Sequence, residues 1–119
     1  MAEETNPLGN IEIAPAAIAT IASQAVLQSY GVVGMAAKNV VDGLANRLTR
    51  DPRHGIEVRV DEGTITIDVY VIIEYGTRVS SVASSVANTV RFHVERALGG
   101  PIGDVNVHVQ GLRVSNPDA

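Results

Sequence analysis

The sequence predicts a single α+β domain, with one mainly antiparallel sheet and helices packed on one of its faces. Residues 64–74 alternate between apolar and polar side chains, as a half-buried strand does. Valines and alanines recur at helical spacing between residues 79 and 97, which indicates an amphipathic helix. The chain has 119 residues, of which 45% are apolar and 18% are charged. This length and composition suffice for one hydrophobic core without disulfide or metal support.

The first half of the chain is predicted to contain a strand, a helix and a short second helix. Residues 10–14 alternate and form a short strand. Pro15 suits the first position of a helix, and apolar residues then continue at helical spacing until Gly31. Residues 35–48 carry a weaker helical pattern interrupted by Gly43, so the sequence leaves open whether they form a stable helix.

The second half is predicted to contain a hairpin, a long helix and a last strand. Residues 56–60 and 64–74 alternate on either side of turn residues 61–63. The helix runs from about Arg78 to Leu98, and two glycines and a proline end it. The helices are expected to pack on the face that bears Ile65, Ile67, Val69, Val105 and Val107. A ferredoxin-like and a KH-like sheet order both satisfy this succession of elements.

One domain is expected over residues 10–112, between flexible tails at 1–9 and 113–119. The first ten residues contain Glu3 and Glu4 and no apolar centre, so no signal peptide is predicted. Residues 13–37 carry no charged side chain, but they include too many polar residues and glycines for a membrane span. The predicted location is therefore the cytoplasm.

The residues offer no apparatus for catalysis. The chain has no cysteine, which excludes thiolate chemistry and cysteine-based metal sites. The three histidines lack metal-ligand spacing, and Asp104 and His108, on one face of a strand, lie about 13 Å apart. Nucleophile-elbow, P-loop and dinucleotide motifs are also missing. We therefore expect no enzymatic activity, no cofactor, no metal and no small-molecule substrate.

Nucleic-acid binding is the alternative interpretation. The spacing of Gly31 and Gly34 in GVVG matches the GxxG loop of KH modules, although its central valines offer no cation to phosphates. The main concentration of basic residues, a candidate contact for anions, is Arg47, Arg50, Arg53 and Arg59. The net charge of −4 argues against general nucleic-acid coating. The structural interpretation is a helix-ending turn followed by a solvated loop.

Several side chains are candidates for a protein interaction surface. Tyr70 and Ile72 are expected on the outer face of the hairpin, and His108 on the outer face of the last strand. Phe92 lies opposite the valine stripe of the long helix. If these side chains were contiguous, they would form a patch suited to self-association or to a partner protein.

Four segments together resemble the alkaline shock protein family of bacterial envelope stress response proteins. They are IEIAPAAIATIA, GVVGM, TITIDVYVIIEYG and VNVHVQGL, and the resemblance spans about residues 10–112. It implies a non-enzymatic, self-associating cytoplasmic protein, held near the inner face of the cell membrane by a separate anchoring protein. It supplies no catalytic residues.

The long helix departs from that family pattern. Family members tend to carry more lysine and glutamate there, whereas this helix reads SSVASSVANTVRFHVERA and the chain has only Lys38. The resemblance, together with the outward Tyr70, Ile72 and His108, implies a homo-oligomeric scaffold for envelope homeostasis. The oligomer size, the anchoring partner and the inducing stress remain open.

Overall fold

The structure, a computed structural model, describes residues 3–6, 9–36 and 55–114. Strands β1 and β2 (Glu3–Asn6 and Gly9–Glu12) precede helix α1 (Pro15–Leu27). Strands β3 (Val32–Met35), β4 (Ile56–Asp61) and β5 (Thr64–Glu74) follow. Helix α2 (Val79–Leu98) and strand β6 (Val105–Arg113) complete the order. The α+β class and the long helix are confirmed.

Strand β5 is the centre of a four-stranded sheet. It pairs antiparallel with β4 along residues 64–69 and with β3 along residues 71–73. It pairs parallel with β6 along residues 67–74. Because β6 runs beside both of these stretches, β3 and β4 must lie end to end on the other edge of β5. The sheet is therefore mainly antiparallel, and the crossover through α2 gives its one parallel pair.

The hydrophobic core lies between the two helices and one face of this sheet. Its main contributors are Ile18, Ala22 and Val26 of α1, Val82, Val86, Val90 and Val94 of α2, and Ile65, Ile67, Val69, Val71 and Ile73 of β5. Val105 and Val107 of β6 pack against it. The predicted inward face of the hairpin and the predicted valine stripe are thus both confirmed. The small and β-branched residues bring the helices close to the sheet.

Three of the four residues of GVVG, Val32 to Gly34, lie in strand β3, so the prediction of a loop at these residues is wrong, whereas the predicted helix-ending turn is present at Gly31. Val32 pairs with Ile73, and Met35 pairs with Val71. Gly31 precedes the strand with φ of 90°, and a Cβ there would lie 2.8 Å from Cγ2 of Val82. Gly31 is therefore required both for the turn and for the close approach of α2. The rest of the predicted second helix, residues 37–48, lies outside the described residues.

The N-terminal strand belongs to a separate hairpin rather than to the main sheet. β2 covers residues 9–12, against the predicted 10–14, and it pairs antiparallel with β1. Residues 3–6, which the sequence assigned to a terminal tail, form β1. The strand ends before Pro15 because that residue begins α1.

Two predicted turns are present with the expected backbone. Between β4 and β5, Glu62 and Gly63 have φ of 50° and 82°, the pair of left-handed conformations that a two-residue hairpin turn requires. Gly99, with φ of 80°, ends α2, and its N–H donates to the carbonyl of Glu95 at 2.8 Å. Local sequence therefore determines both chain reversals.

Gly103 is expected to be intolerant of a side chain. A Cβ at this position would lie 2.7 Å from the carbonyl oxygen of Ile65, and the Gly103 N–H donates to that same carbonyl. Gly103→Ala should therefore lower the free energy of unfolding by about 1–3 kcal/mol. Gly100→Ala is the matched control, since nothing lies within 4 Å of its Cβ position. Urea unfolding of both variants tests this, and equal stabilities would contradict the packing described.

Candidate functional site

The outer face of the sheet, which we define as the side of β5 bearing residues 66, 68, 70, 72 and 74, carries a cluster of polar and aromatic side chains. Register places Asp68 beside Asn106 and Tyr70 beside His108 on β6. On the other side, Arg59 of β4 is opposite Thr66, next to Asp68 on the same face. Asp68, Arg59, Asn106, His108 and Tyr70 are called the Asp68 cluster below.

The carboxylate of Asp68 is the centre of this cluster. Its side chain is only 8% exposed, and its Oδ2 lies 2.7 Å from Nη2 of Arg59. Its Oδ1 accepts hydrogen bonds from Nδ2 of Asn106 at 3.1 Å and from Nε2 of His108 at 3.0 Å. Because an ionised carboxylate can only accept, Nε2 of His108 must carry a hydrogen in this contact. Three donors from two neighbouring strands thus satisfy one buried acid.

These contacts keep Asp68 ionised. Burial raises the pKa of the carboxyl group, but the hydrogen bonds from His108 and Asn106 and the charge and hydrogen bond of Arg59 act in the opposite direction. Their combined effect holds the pKa of Asp68 below its ordinary value. Its negative charge is therefore retained under all but strongly acidic conditions.

Tyr70 and His108 form the aromatic part of the cluster. Their ring centroids are 4.5 Å apart and the ring planes differ by 13°, so the rings are stacked. His108 is thereby fixed twice, by the stack on Tyr70 and by the hydrogen bond to Asp68. Both side chains are half-buried. They form a rigid surface whose geometry exists before any partner arrives.

Two predicted members of an interaction patch do not join this surface. Ile72 is buried, with 2% of its surface exposed, and its strand neighbours are Gly34 and Gly111. Phe92 is 57% exposed, but it lies on α2, whose valine stripe packs against the opposite face of the sheet. The contiguous patch of Tyr70, Ile72, Phe92 and His108 is therefore not formed, and only the pair Tyr70 and His108 remains together.

The residues of the nucleic-acid interpretation do not form a site in the described structure. Gly31 is a turn residue in contact with α2, and Gly34 lies within β3 opposite Ile72. Arg59 is engaged by Asp68. The other three arginines, at positions 47, 50 and 53, lie outside the described residues. Because GVVG is paired into the sheet, it is not a glycine loop open to a phosphate backbone.

Sequence reasoning missed the centre of the cluster, although one signal was present. Asp68 is the single charged residue between Gly63 and Ile73. A charge in the middle of a strand flanked by apolar residues needs partners. His108, a partner from β6, was placed on the outer face but was not connected with Asp68, and Asn106 was not singled out.

Outside the Asp68 cluster, the described residues form a cleft but no metal-binding group. A cleft of about 350 Å³ beside the start of α2 is lined by residues that include Tyr30, Arg78 and Ser81, and Arg78 is its one charged residue. Within residues 3–6, 9–36 and 55–114, no group of three histidine or acidic side chains is placed to hold a metal. In the same ranges, no helix is both long enough and apolar enough to cross a membrane.

Asp68 is expected to make stability depend on acid pH. Its pKa is lower in the folded chain than in the unfolded chain, so its contribution is complete above about pH 4 and is lost as pH falls through the folded pKa. Asp68→Asn should remove this dependence and cost about 1–2 kcal/mol at neutral pH. Urea unfolding from pH 2.5 to 7 measures the difference. The exposed Asp61→Asn is the control, and identical pH profiles for wild type and Asp68→Asn would contradict the assignment.

Known proteins similar to this chain match it over nearly its whole length. The profile of the alkaline shock protein 23 family, described by a cell envelope-related function, matches residues 3–114. Uncharacterized protein YloU of Bacillus subtilis is 41% identical over 111 residues, which cover 92% of each chain. Uncharacterized protein Spy1614 of Streptococcus pyogenes is 33% identical, over 89% of each chain. No solved structure matches significantly. The chain belongs to the alkaline shock protein 23 family, whose function is related to the cell envelope.

Proposed function

We propose that this protein is a non-enzymatic, self-associating scaffold on the cytoplasmic side of the cell envelope, held there by a separate membrane-anchoring protein. The observation that carries the proposal is the Asp68 cluster, a rigid and half-exposed surface built around Tyr70 and His108. The family supports the part of the proposal that concerns the envelope. The anchoring partner is an expectation from the sequence resemblance.

The chemistry of the cluster favours recognition over catalysis. A general base must accept a proton near the working pH, yet the pKa of Asp68 is lowered and its oxygens are engaged by three donors. Asp68 instead orients the side chains around it. Tyrosine and arginine are enriched at protein interfaces because they combine contact area with hydrogen bonding. Tyr70 and Arg59 provide both at the rim of the cluster.

A charge in place of Tyr70 is expected to disrupt self-association. Tyr70→Asp removes the ring stacked on His108 and adds a second carboxylate near Asp68. The mass of the assembly should fall clearly below that of the wild-type assembly. Size-exclusion chromatography with light scattering measures this mass, and absorbance at two wavelengths reports any nucleic acid that remains bound.

Tyr75→Asp is the matched control, because Tyr75 is exposed and no ring contact joins it to the cluster. It should leave the assembly intact, and thermal unfolding should show that both variants are folded. A wild-type chain that is monomeric at all concentrations, or one that carries nucleic acid, would refute the proposed scaffold. A Tyr70→Asp variant that assembles like wild type would exclude the outer face as its contact.

A further inference from the structure

One edge of the main sheet presents a free ladder of backbone groups. Within the described residues, β5 is the strand partner of β6, and it occupies one side of β6 alone. At the start of the pairing, the carbonyl of Asp104 accepts from Ile67 N–H at 2.9 Å, and at its end the carbonyl of Arg113 accepts from Tyr75 N–H at 2.8 Å. Backbone groups alternate in direction along a strand, so those of Val105, Val107 and Val109 point away from β5.

An irregularity in β6 extends this ladder. The register passes from Val71 opposite Val109 to Ile72 opposite Gly111, which leaves Gln110 as an extra residue. The alternation is thereby shifted by one, and Leu112 also directs its backbone away from β5. The four residues that face this free side share the core face of the sheet. Val109 and Leu112 are 36% and 42% exposed there. We call this side of β6 the β6 edge.

We infer that the β6 edge pairs with the β6 edge of a second copy of this chain, antiparallel, about a two-fold axis at His108. The inference rests on the self-association in the proposed function and identifies its primary contact. A nine-residue strand without proline, with one edge that has no strand partner among the described residues, is a ready template for another strand. The occupant is a second copy because the sequence of β6 is complementary to its own reverse.

The position of the two-fold axis at His108 determines which residues of the two β6 strands lie opposite each other. His108 is opposite His108 of the second copy, and Val107 is opposite Val109 of the second copy. The extra Gln110 then brings Val105 opposite Leu112 and Asp104 opposite Arg113. Each opposed pair lies on one face of the sheet, as antiparallel pairing requires. Gln110 thus acts as a β-bulge. Without this extra residue, side chains of the core face at the ends of the strand would lie opposite side chains of the outer face in the second copy.

This register joins opposite charges and covers exposed apolar side chains. Asp104 and Arg113 are both exposed on the outer face, and two such pairs form per dimer. Nη2 of Arg113 also lies 3.6 Å from Oε1 of Glu74 in its own chain, and the side chain of Arg113, 53% exposed, shares its charge between Glu74 and Asp104 of the second copy. Val109 and Leu112 each gain a valine opposite. A shift of the register by two residues would separate both charge pairs. Charge complementarity and the bulge therefore select the same alignment.

The two-fold axis also determines what the dimer presents. An axis perpendicular to the sheet keeps the helices of both copies on one side and joins the two outer faces on the other. The two Tyr70–His108 stacks then lie beside each other at the centre of a continuous sheet. Such a contact is closed, because each copy uses its one β6 edge, so larger assemblies need a second surface, and the joined outer face offers one.

Introduced cysteines test the axis directly. The chain has no cysteine, so any disulfide in a single-cysteine variant joins two copies. His108→Cys places two sulfurs across the axis in a pair that is not hydrogen-bonded, where Cβ atoms are close enough for a disulfide. Arg59→Cys is the matched control, since it also lies on the outer face and also removes a partner of Asp68. Oxidation should convert most of the His108→Cys chain to a dimer and little of the Arg59→Cys chain.

Proline variants test the backbone pairing. The N–H of Val109 points away from β5, so Val109→Pro blocks the second copy while leaving the β5–β6 hydrogen bonds in place. Val60→Pro is the control on the opposite edge. Asp61 and Thr64 flank the two-residue turn, so the N–H of Val60 also points away from β5, and Val60 is 38% exposed. Val109→Pro should weaken dimerisation at least about tenfold in sedimentation equilibrium, and Val60→Pro by less than about twofold.

The outcomes separate this inference from the proposed function. A wild-type chain that stays monomeric would overturn both. Three results would overturn the β6 pairing without affecting the proposed scaffold function. They are dimerisation of Val109→Pro as strong as that of wild type, weaker dimerisation of Val60→Pro, and equal crosslinking of His108→Cys and Arg59→Cys. If Val109→Pro does not fold, the charge swap decides. Asp104→Arg should weaken the dimer, and adding Arg113→Asp should restore it at least in part, whereas no restoration would contradict the register.

Discussion

The pairing of β5 on both of its edges sets the position of the core and of the outer-face cluster together. Residues 65, 67, 69, 71 and 73 of this strand are buried against the helices. The alternate positions face the other way and include Asp68 and Tyr70. Because β4 and β3 occupy one edge and β6 the other, the backbone of β5 is held along its whole length. A single strand thus provides both the stability of the domain and the geometry of its candidate site.

The charge of Asp68 is tolerated in this strand because hydrogen bonds and an ion pair with its neighbours replace the hydration that the carboxylate loses on burial. A buried carboxylate without partners would be strongly destabilising. Arg59 and His108 both donate to Asp68, and both side chains are half-exposed. Water therefore still solvates the rest of their polar groups. The result is a rigid arrangement that costs the fold little. That rigidity lowers the entropy lost when a partner binds, which is the property an interaction surface needs.

Local patterns in the sequence were sufficient for β5, α2 and the turns. Their periodicity and their glycines are read within windows of ten to twenty residues. Strand β3 was missed because GVVG is short and flanked by glycine, and it is a strand only through its pairing with residues 71–73. The partners of Asp68 from β6 lie 38 and 40 residues along the chain, so the cluster depends on the parallel register of β5 and β6.

The burial of Ile72 could not be predicted from the local alternation of apolar and polar residues, which placed its side chain on an exposed face. The geometry of the β6 edge was even less predictable from local sequence. Its alternation is visible in VNVHV, but the extra residue at Gln110 is identified only when β6 is aligned with β5. That single residue decides which side chains of the two halves of the strand share a face. It is therefore the feature that makes β6 complementary to a second copy.

Amide hydrogen exchange followed by NMR at low and high protein concentration tests the central claim most directly. The account predicts that the N–H groups of Val105, Val107, Val109 and Leu112 exchange rapidly in the dilute chain and become protected as it assembles. The N–H groups of Val58 and Val60, on the opposite edge, should exchange at the same rate in both conditions. If the assembled protein instead leaves the four β6 amides as open to exchange as Val60, the pairing of β6 with a second copy is contradicted.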